Sequence, residues 1–314
     1  MTIRLFLEKK AMASETWKYR AERKSTARMH TSDEGTTQSA RYVIDAENAA
    51  EMARLMVQDR LLTEAMGGPF AEQEDLSSIH QVLDIGCGPG GWLLDVASHF
   101  PHIQGVGIDI SQLMIAYAAN LARARALLNV AFRVMDATGP LDFAAESFDL
   151  VNGRILSGFL STSGWGTLLQ ECRRITRPGG ILRLTEPEFG FTNSAALDAL
   201  TGLAAQALYR SGHSFSPHGR TFGTTPLLRL LLRQAGYSAI KQRASVVDYS
   251  AGTELHQSNV QNLLVVYQLL QPFLVQMQVA SLPELQELYQ QMEHEVQQAD
   301  FCGIDYYLTV WGMK

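Results

Sequence analysis

The sequence predicts an α/β fold built on a doubly wound sheet, and three observations carry that prediction. Between Gln81 and about Glu186, short apolar runs alternate with amphipathic stretches of helical length. The first run leads through Asp84-Ile85-Gly86-Cys87-Gly88-Pro89-Gly90-Gly91 into a helix, a glycine-rich turn between strand and helix. The runs end in acidic or amide side chains, Asp84, Asp109, Asp136, Asn152 and Glu186, as the tips of neighbouring strands would. Parallel strands need helical crossovers, and ligands then bind at the carboxyl ends of the strands.

Residues 1–38 mix polar and charged types and read as a flexible tail, with Trp17 and Tyr19 set between basic residues. In the segment 39–78, Ala49, Met52, Leu55, Met56, Leu62 and Met66 share one helical face, interrupted by Asp59 and Thr63, and Asp45 is the expected N-cap. The sheet core then spans 79–250. Its first strands fall near 82–85, 103–108, 130–135, 148–151 and 181–186, and its helices at 91–100, 111–127 and 162–176, with Ser111 as an N-cap. A loop and helix insertion follows near 191–225: residues 194–210 are Ala- and Leu-rich and helical, and residues 211–220 lack a regular pattern. A helix at 226–234 stopped by Gly236 and a sixth strand at 237–249 complete this part. Residues 251–299 hold two helices, the first interrupted by Pro272 and the second opening with the capping box Ser281-x-x-Glu284. Residues 300–314 have the β-rich composition of a last strand.

Glycine at 86, 88 and 90 removes the Cβ atoms that would keep a ligand from the backbone and permits positive φ. Asp109, at the tip of the neighbouring strand, can accept both hydroxyls of a ribose. Together these residues describe a nucleoside site. Gly86, Gly88 and Gly91 also fit a dinucleotide spacing, so the glycines alone leave the cofactor open. Asp84 suits a ligand bearing an ammonium and a sulfonium better than a pyrophosphate. Asp136, in Asp136-Ala137, is placed to accept from an adenine amino group, and the fourth strand runs into Asn152-Gly153-Arg154.

With the turn at 84–90, Asp109, Asp136, the Ser147-Phe148-Asp149-Leu150-Val151 strand and Arg177-Pro178-Gly179-Gly180-Ile181-Leu182 in order, the chain resembles the class I S-adenosylmethionine-dependent methyltransferases of the small-molecule type. The resemblance implies a Rossmann-like, mostly parallel sheet with an antiparallel last strand and S-adenosyl-L-methionine as cofactor. It places Asp84, Gly86, Cys87, Gly88 and Gly90 at the methionine part, Asp109, Ile110 and Met114 at the ribose and base, and Asp136 and Ala137 at adenine. Asn152 and Arg154 close the same edge. Arg154 reaches either the cofactor carboxylate or a structural partner. Family members place a helical cover before strand one, which implies a ligand-facing role for Tyr42, Gln58 and Met66. They also join the last two strands by a tight hairpin, where this chain has the insertion 251–299. That insertion is read as a lid over the substrate or as a homodimer contact.

The formal charge of −6 is uneven: residues 1–30 carry +5, leaving −11 for the remainder. An acidic body repels a polyanion, so nucleic acid is not an expected partner. Apolar residues make up 46% of the chain, enough for a core, while no apolar run is long enough to span a bilayer. The first ten residues run apolar to charged, the reverse of a secretory signal, and the expected location is cytoplasmic. Three cysteines without ligand spacing suggest neither a disulfide framework nor a metal.

An activated methyl group needs chiefly an aligned nucleophile and a dry site. If the acceptor is a hydroxyl or ammonium, a base must take its proton; His213, His218 and Glu186 are the candidates, the histidines being otherwise solvent-exposed loop residues. Tyr42, Tyr209, Phe215 and Tyr249 are candidate walls of a substrate pocket. The expected function is methyl transfer to a small, apolar or aromatic metabolite. The alternatives are a nucleic-acid or protein methyltransferase, or a protein of this fold that binds the cofactor without transferring methyl, such as a cyclase.

Overall fold

The computed structural model describes residues 43–314, so the predicted tail and Tyr42 lie outside the described residues. These residues build a seven-stranded sheet in the order β3-β2-β1-β4-β5-β7-β6. Its strands are β1 (Gln81–Ile85), β2 (Gln104–Asp109), β3 (Val130–Val134), β4 (Phe148–Arg154), β5 (Thr176–Thr192), β6 (Ser238–Asp248) and β7 (Gly303–Met313). The first five are parallel, and β7 is antiparallel to both β5 and β6. The strand order reverses between β1 and β4, which opens a crevice beyond their carboxyl ends.

The helices are α1 (Ala49–Met66), α2 (Gly91–His99), α3 (Gln112–Ala124), α4 (Gly164–Ile175), α5 (Ala195–Arg210), α6 (Leu228–Gln234), α7 (His256–Gln276) and α8 (Leu282–Glu295). Ser111 caps α3 by accepting from the amide of Met114 at 3.1 Å, and Ser281 and Glu284 form the expected capping box of α8. For α1 the cap is Asn48, which accepts from the amides of Ala50 and Glu51 at 2.8 and 3.3 Å. Asp45 instead accepts from the amide of Glu47, closing a turn just before the helix. β5 runs six residues beyond the expected Glu186 because β7 pairs with it as far as Thr192 opposite Gly303, past the last β4 partner. α7 continues through Pro272, which lies one turn from its end.

On one face of the sheet, Leu83, Ile85, Val151, Leu182 and Leu184 pack on Trp165, Leu168 and Leu169 of α4 and on α6. The other face holds Val82 and Leu150 against Trp92, Leu93 and Val96 of α2. A further apolar cluster joins the insertion to α5: Leu200 and Ala204 meet Leu263, Leu264 and Leu274 of α7 and Leu285 and Met292 of α8. Leu285 is fully buried in that cluster. Leu285→Ala is therefore expected to lower unfolding free energy by about 2–5 kcal/mol, read from urea denaturation. A loss well under about 1 kcal/mol would mean that α8 is not part of the folded core.

Candidate functional site

The turn after β1 takes positive φ at Gly86, Gly88 and Gly90, +63°, +52° and +83°. Asp109, ending β2, holds the turn from the side: one carboxylate oxygen accepts from the amide of Gly88 at 2.9 Å and the other from the amide of Ser111 at 2.9 Å. The Ile110 amide also donates to this carboxylate, which keeps part of its acceptor capacity. Asp136, after β3, accepts from the amide and hydroxyl of Thr138 at 2.8 and 2.7 Å. A cavity of about 180 Å³ opens between these tips, with Met114, Met135, Ala137 and Phe159 as apolar walls and Leu55, Gln58, Asp59 and Leu62 of α1 above.

Asp84 sits under the turn in a buried polar chain. Its carboxylate accepts from the Asn152 amide nitrogen at 2.7 Å, and the Asn152 oxygen accepts from Arg183 at 2.7 Å. Arg183 pairs with Glu72 and lies over the Trp92 ring at 5.9 Å. Burial pushes the Asp84 carboxyl up to about 7, against the opposing pull of Asn152 and Arg183. Nearby, Arg154 pairs with Asp59 and donates to the Thr63 hydroxyl at 3.1 Å, tying α1 to β4 across the cavity. Burial, and then the Arg183 charge, push its guanidinium down to about 9.

A second cavity of about 200 Å³ adjoins the first, and Arg54, Gln58, Ile155 and Gly158 line both. Its walls are mostly apolar or aromatic, from β5 (Phe189), α5 (Leu197, Ala204, Leu208) and α7 (Leu263, Val266, Tyr267, Phe273), with Phe222 and Tyr249. Phe189 and Phe222 stack with ring centroids 4.2 Å apart. Asp305 and Tyr307 of β7 supply polar groups.

Of the expected cofactor residues, Asp84, Gly86, Cys87, Gly88, Asp109, Ile110, Met114, Asp136, Ala137, Arg154 and Gln58 line the first cavity. Gly90 and Asn152 do not line it. A Cβ at Gly90 would strike the Phe132 ring and Ala118, so this glycine serves helix packing, and Asn152 is consumed by its bonds to Asp84 and Arg183. Of the expected substrate residues, Tyr249 lines the second cavity. Tyr209 is half exposed on α5 and packs over Gly219, whereas Phe215 packs against the α4 side of the sheet; neither lines a cavity.

The three expected bases also lie off both walls. His218 is exposed. His213 is buried, 3.0 Å from the Ser211 hydroxyl and hydrogen-bonded to the backbone of Phe159; burial lowers its pKa. Glu186 accepts from the amides of Leu156 and Ser157 at 2.7 and 3.1 Å, and burial pushes it up to about 7. Both residues brace the short turn that carries Gly158 and Phe159 to the cavity. Sequence reasoning passed over Arg54, Asp59, Ile155, Phe159 and Asp305. The charge in the otherwise apolar 301–311 stretch was the signal for Asp305.

Residues 82–180 match a family profile described as a methyltransferase domain. The chain is 34% identical over 116 residues to the demethylmenaquinone methyltransferase of Geobacillus stearothermophilus, covering 35% of this chain and 48% of that protein. It is 30% identical over 107 residues to the secondary metabolism regulator laeA of Coprinopsis cinerea, covering 34% of this chain and 24% of that one. The chain thus spans about half or less of the length of these two relatives. A crystal structure of a putative methyltransferase from Bacillus halodurans aligns with a TM-score of 0.47 at 16% identity, over 85% of this chain and 99% of that one. No helix among the described residues is long and apolar enough to cross a membrane.

The raised Asp84 pKa fixes a sign. Between about 4 and 7 the folded state holds a proton that the unfolded chain releases, so this group's contribution to stability falls as pH rises through that window. The stability of Asp84→Asn relative to the unaltered protein is therefore expected to increase from about pH 5 to about pH 8, in urea titrations without ligand. A constant difference across that range would show that Asp84 is ionised throughout.

Proposed function

We propose that the protein transfers a methyl group from S-adenosyl-L-methionine to a small apolar or aromatic molecule, a reading supported by the match of residues 82–180 to the methyltransferase domain profile. The observation that carries this reading is the pair of adjoining cavities, one framed by the glycine turn and acidic strand tips, the other by aromatic side chains. Gly86 and Gly88 leave room where a Cβ would stand, Asp109 and Asp136 offer acceptors, and Met114, Met135 and Ala137 give a flat apolar lining. These residues fit an adenosyl group, and Asp84 fits the ammonium of its amino-acid end. When bound, S-adenosylmethionine supplies an electrophilic methyl group. The protein's own task is then to hold an acceptor in the second cavity against the shared boundary of Gln58, Ile155 and Gly158, and to exclude water.

In this reading the segment 39–78 covers the cofactor, residues 79–250 with 300–314 form the binding core, and 251–299 closes the substrate cavity. The concave, mostly aromatic and aliphatic lining supports a small acceptor over a nucleic acid or protein chain, which would need an extended surface. His213 and Glu186 are assigned to bracing the turn at the boundary, since neither lines a cavity.

Isothermal titration is expected to detect binding of both S-adenosylmethionine and S-adenosylhomocysteine. Asp109→Asn should weaken it about tenfold or more, a loss of about 1.4 kcal/mol, because the amide loses the charge and one acceptor oxygen. Undetectable binding to the unaltered protein would overturn the reading. Tight cofactor binding with no S-adenosylhomocysteine formed from any small aromatic acceptor would favour a binding role without methyl transfer.

A further inference from the structure

Asp305 stands out in the second cavity. It lies on β7, two residues before Tyr307 and on the same face. A register irregularity between Glu188 and Phe191 brings Gly190 against it, and a Cβ at Gly190 would collide with its Oδ1. The fold thus leaves room for this carboxylate where another residue at 190 would displace it. Oδ2 accepts from the Asn259 amide at 3.4 Å, and the Tyr249 hydroxyl also donates to the carboxylate. Asn259 in turn accepts from Asn262 at 3.4 Å, and Asn262 accepts from Arg54 at 3.0 Å. The Arg54 charge is taken up by Glu51, through bonds of 2.6 and 2.7 Å. Among the described residues Asp305 has no ion-pair partner.

The other charges on this wall do not balance it. Glu188 is occupied by the amides of Phe222 and Gly223 at 2.7 and 3.1 Å, and by the Thr225 hydroxyl at 3.2 Å. Arg54 is the cation of this wall and is paired with Glu51; Gln58, Thr192, Thr201 and Asn262 are neutral, and most of the remaining lining is aromatic or aliphatic, with Tyr249, Tyr267 and Tyr307 close enough to Asp305 for its charge to bear on their hydroxyls. A desolvated carboxylate held by neutral donors among aromatic rings lacks a positive charge, and rings and carboxylate both attract one.

We infer that the second cavity binds an apolar molecule carrying a protonated amine, whose ammonium is held by Asp305 among the three tyrosines. This rests on the proposed function for the identity of the site but concerns a different set of residues from the cofactor cavity. An ammonium would gain a charge-assisted hydrogen bond and relieve the desolvated carboxylate. A neutral alcohol would gain only a hydrogen bond, and a carboxylate ligand would be repelled.

The test uses the full chain saturated with S-adenosylhomocysteine and three probes of one shape: naphthylethylamine, naphthylethanol and naphthylacetate. Titration calorimetry is expected to show the amine binding about tenfold or more tightly than the alcohol, with no binding of the acid. Asp305→Asn should bring amine and alcohol within about twofold of each other while S-adenosylhomocysteine affinity stays unchanged. An alcohol or acid binding as well as the amine, or an amine preference that survives Asp305→Asn, overturns the inference. If that variant fails to fold, the probe series on the unaltered protein decides alone. Failure to bind S-adenosylhomocysteine counts against the proposed function; failure of the amine preference in a protein that binds it counts against Asp305 only.

Discussion

The site depends on one buried arrangement, the polar chain from Glu72 through Arg183 and Asn152 to Asp84. Each member is almost wholly removed from solvent, where an unpaired charge or amide costs several kcal/mol. The chain is tolerable because every link is made. Arg183 places its guanidinium between Glu72 and Asn152, and Asn152 uses both ends of its amide. Asp84 is thereby fixed at the base of the glycine turn from below, while Asp109 fixes the same turn from the side through Gly88. The turn's shape is set by two carboxylates before any ligand arrives.

A second constraint acts at the boundary between the cavities. Ile155 has φ +57°, a region that costs a β-branched residue about 1–2 kcal/mol. It stays there because its own amide donates to the Thr185 carbonyl at 2.8 Å and Glu186 takes the next two amides. The conformation turns the chain sharply after β4 and presents Ile155 and Gly158 to both cavities. Glu186, at the strand end where a proton acceptor was expected, is thus committed to backbone. The same chemistry that marks a carboxylate as a candidate base, burial at a strand tip, equally suits one that anchors a strained turn.

The parts of the fold legible from sequence are those governed by local rules. Apolar runs with acidic or amide tips mark β1, β2 and β4, and Ser111 and the Ser281 box mark helix starts, because each signal lies within a few residues of what it specifies. The cover helix was harder to orient. Its buried side holds Glu51 and Arg54, a pair that satisfies itself across one turn, while the apolar Met56 faces solvent more than they do. Apolar periodicity cannot find a buried face made of paired charges. The second cavity was invisible for another reason: its lining comes from 43–58, 155–208, 222, 249–273 and 305–307, and no spacing rule joins such separated segments.

Strand length links those segments. Had β5 ended at Glu186, Phe189 and Gly190 would belong to a loop, and the first residues of β7 would be paired on the β6 side alone. The extra pairing to Thr192 carries both strands past the end of β4 and gives α5 and the insertion a platform to pack against. The insertion therefore does not lie on a finished sheet. It covers an extension that the first five strands, ending at the first cavity, do not require. The polar spine from Arg54 through Asn262 and Asn259 to Asp305 ties that extension back to the cover helix. Insertion, last strand and cover helix form one wall of the second cavity, and the cover helix alone of the three also reaches the first, through Gln58 and through the bonds of Asp59 and Thr63 to Arg154.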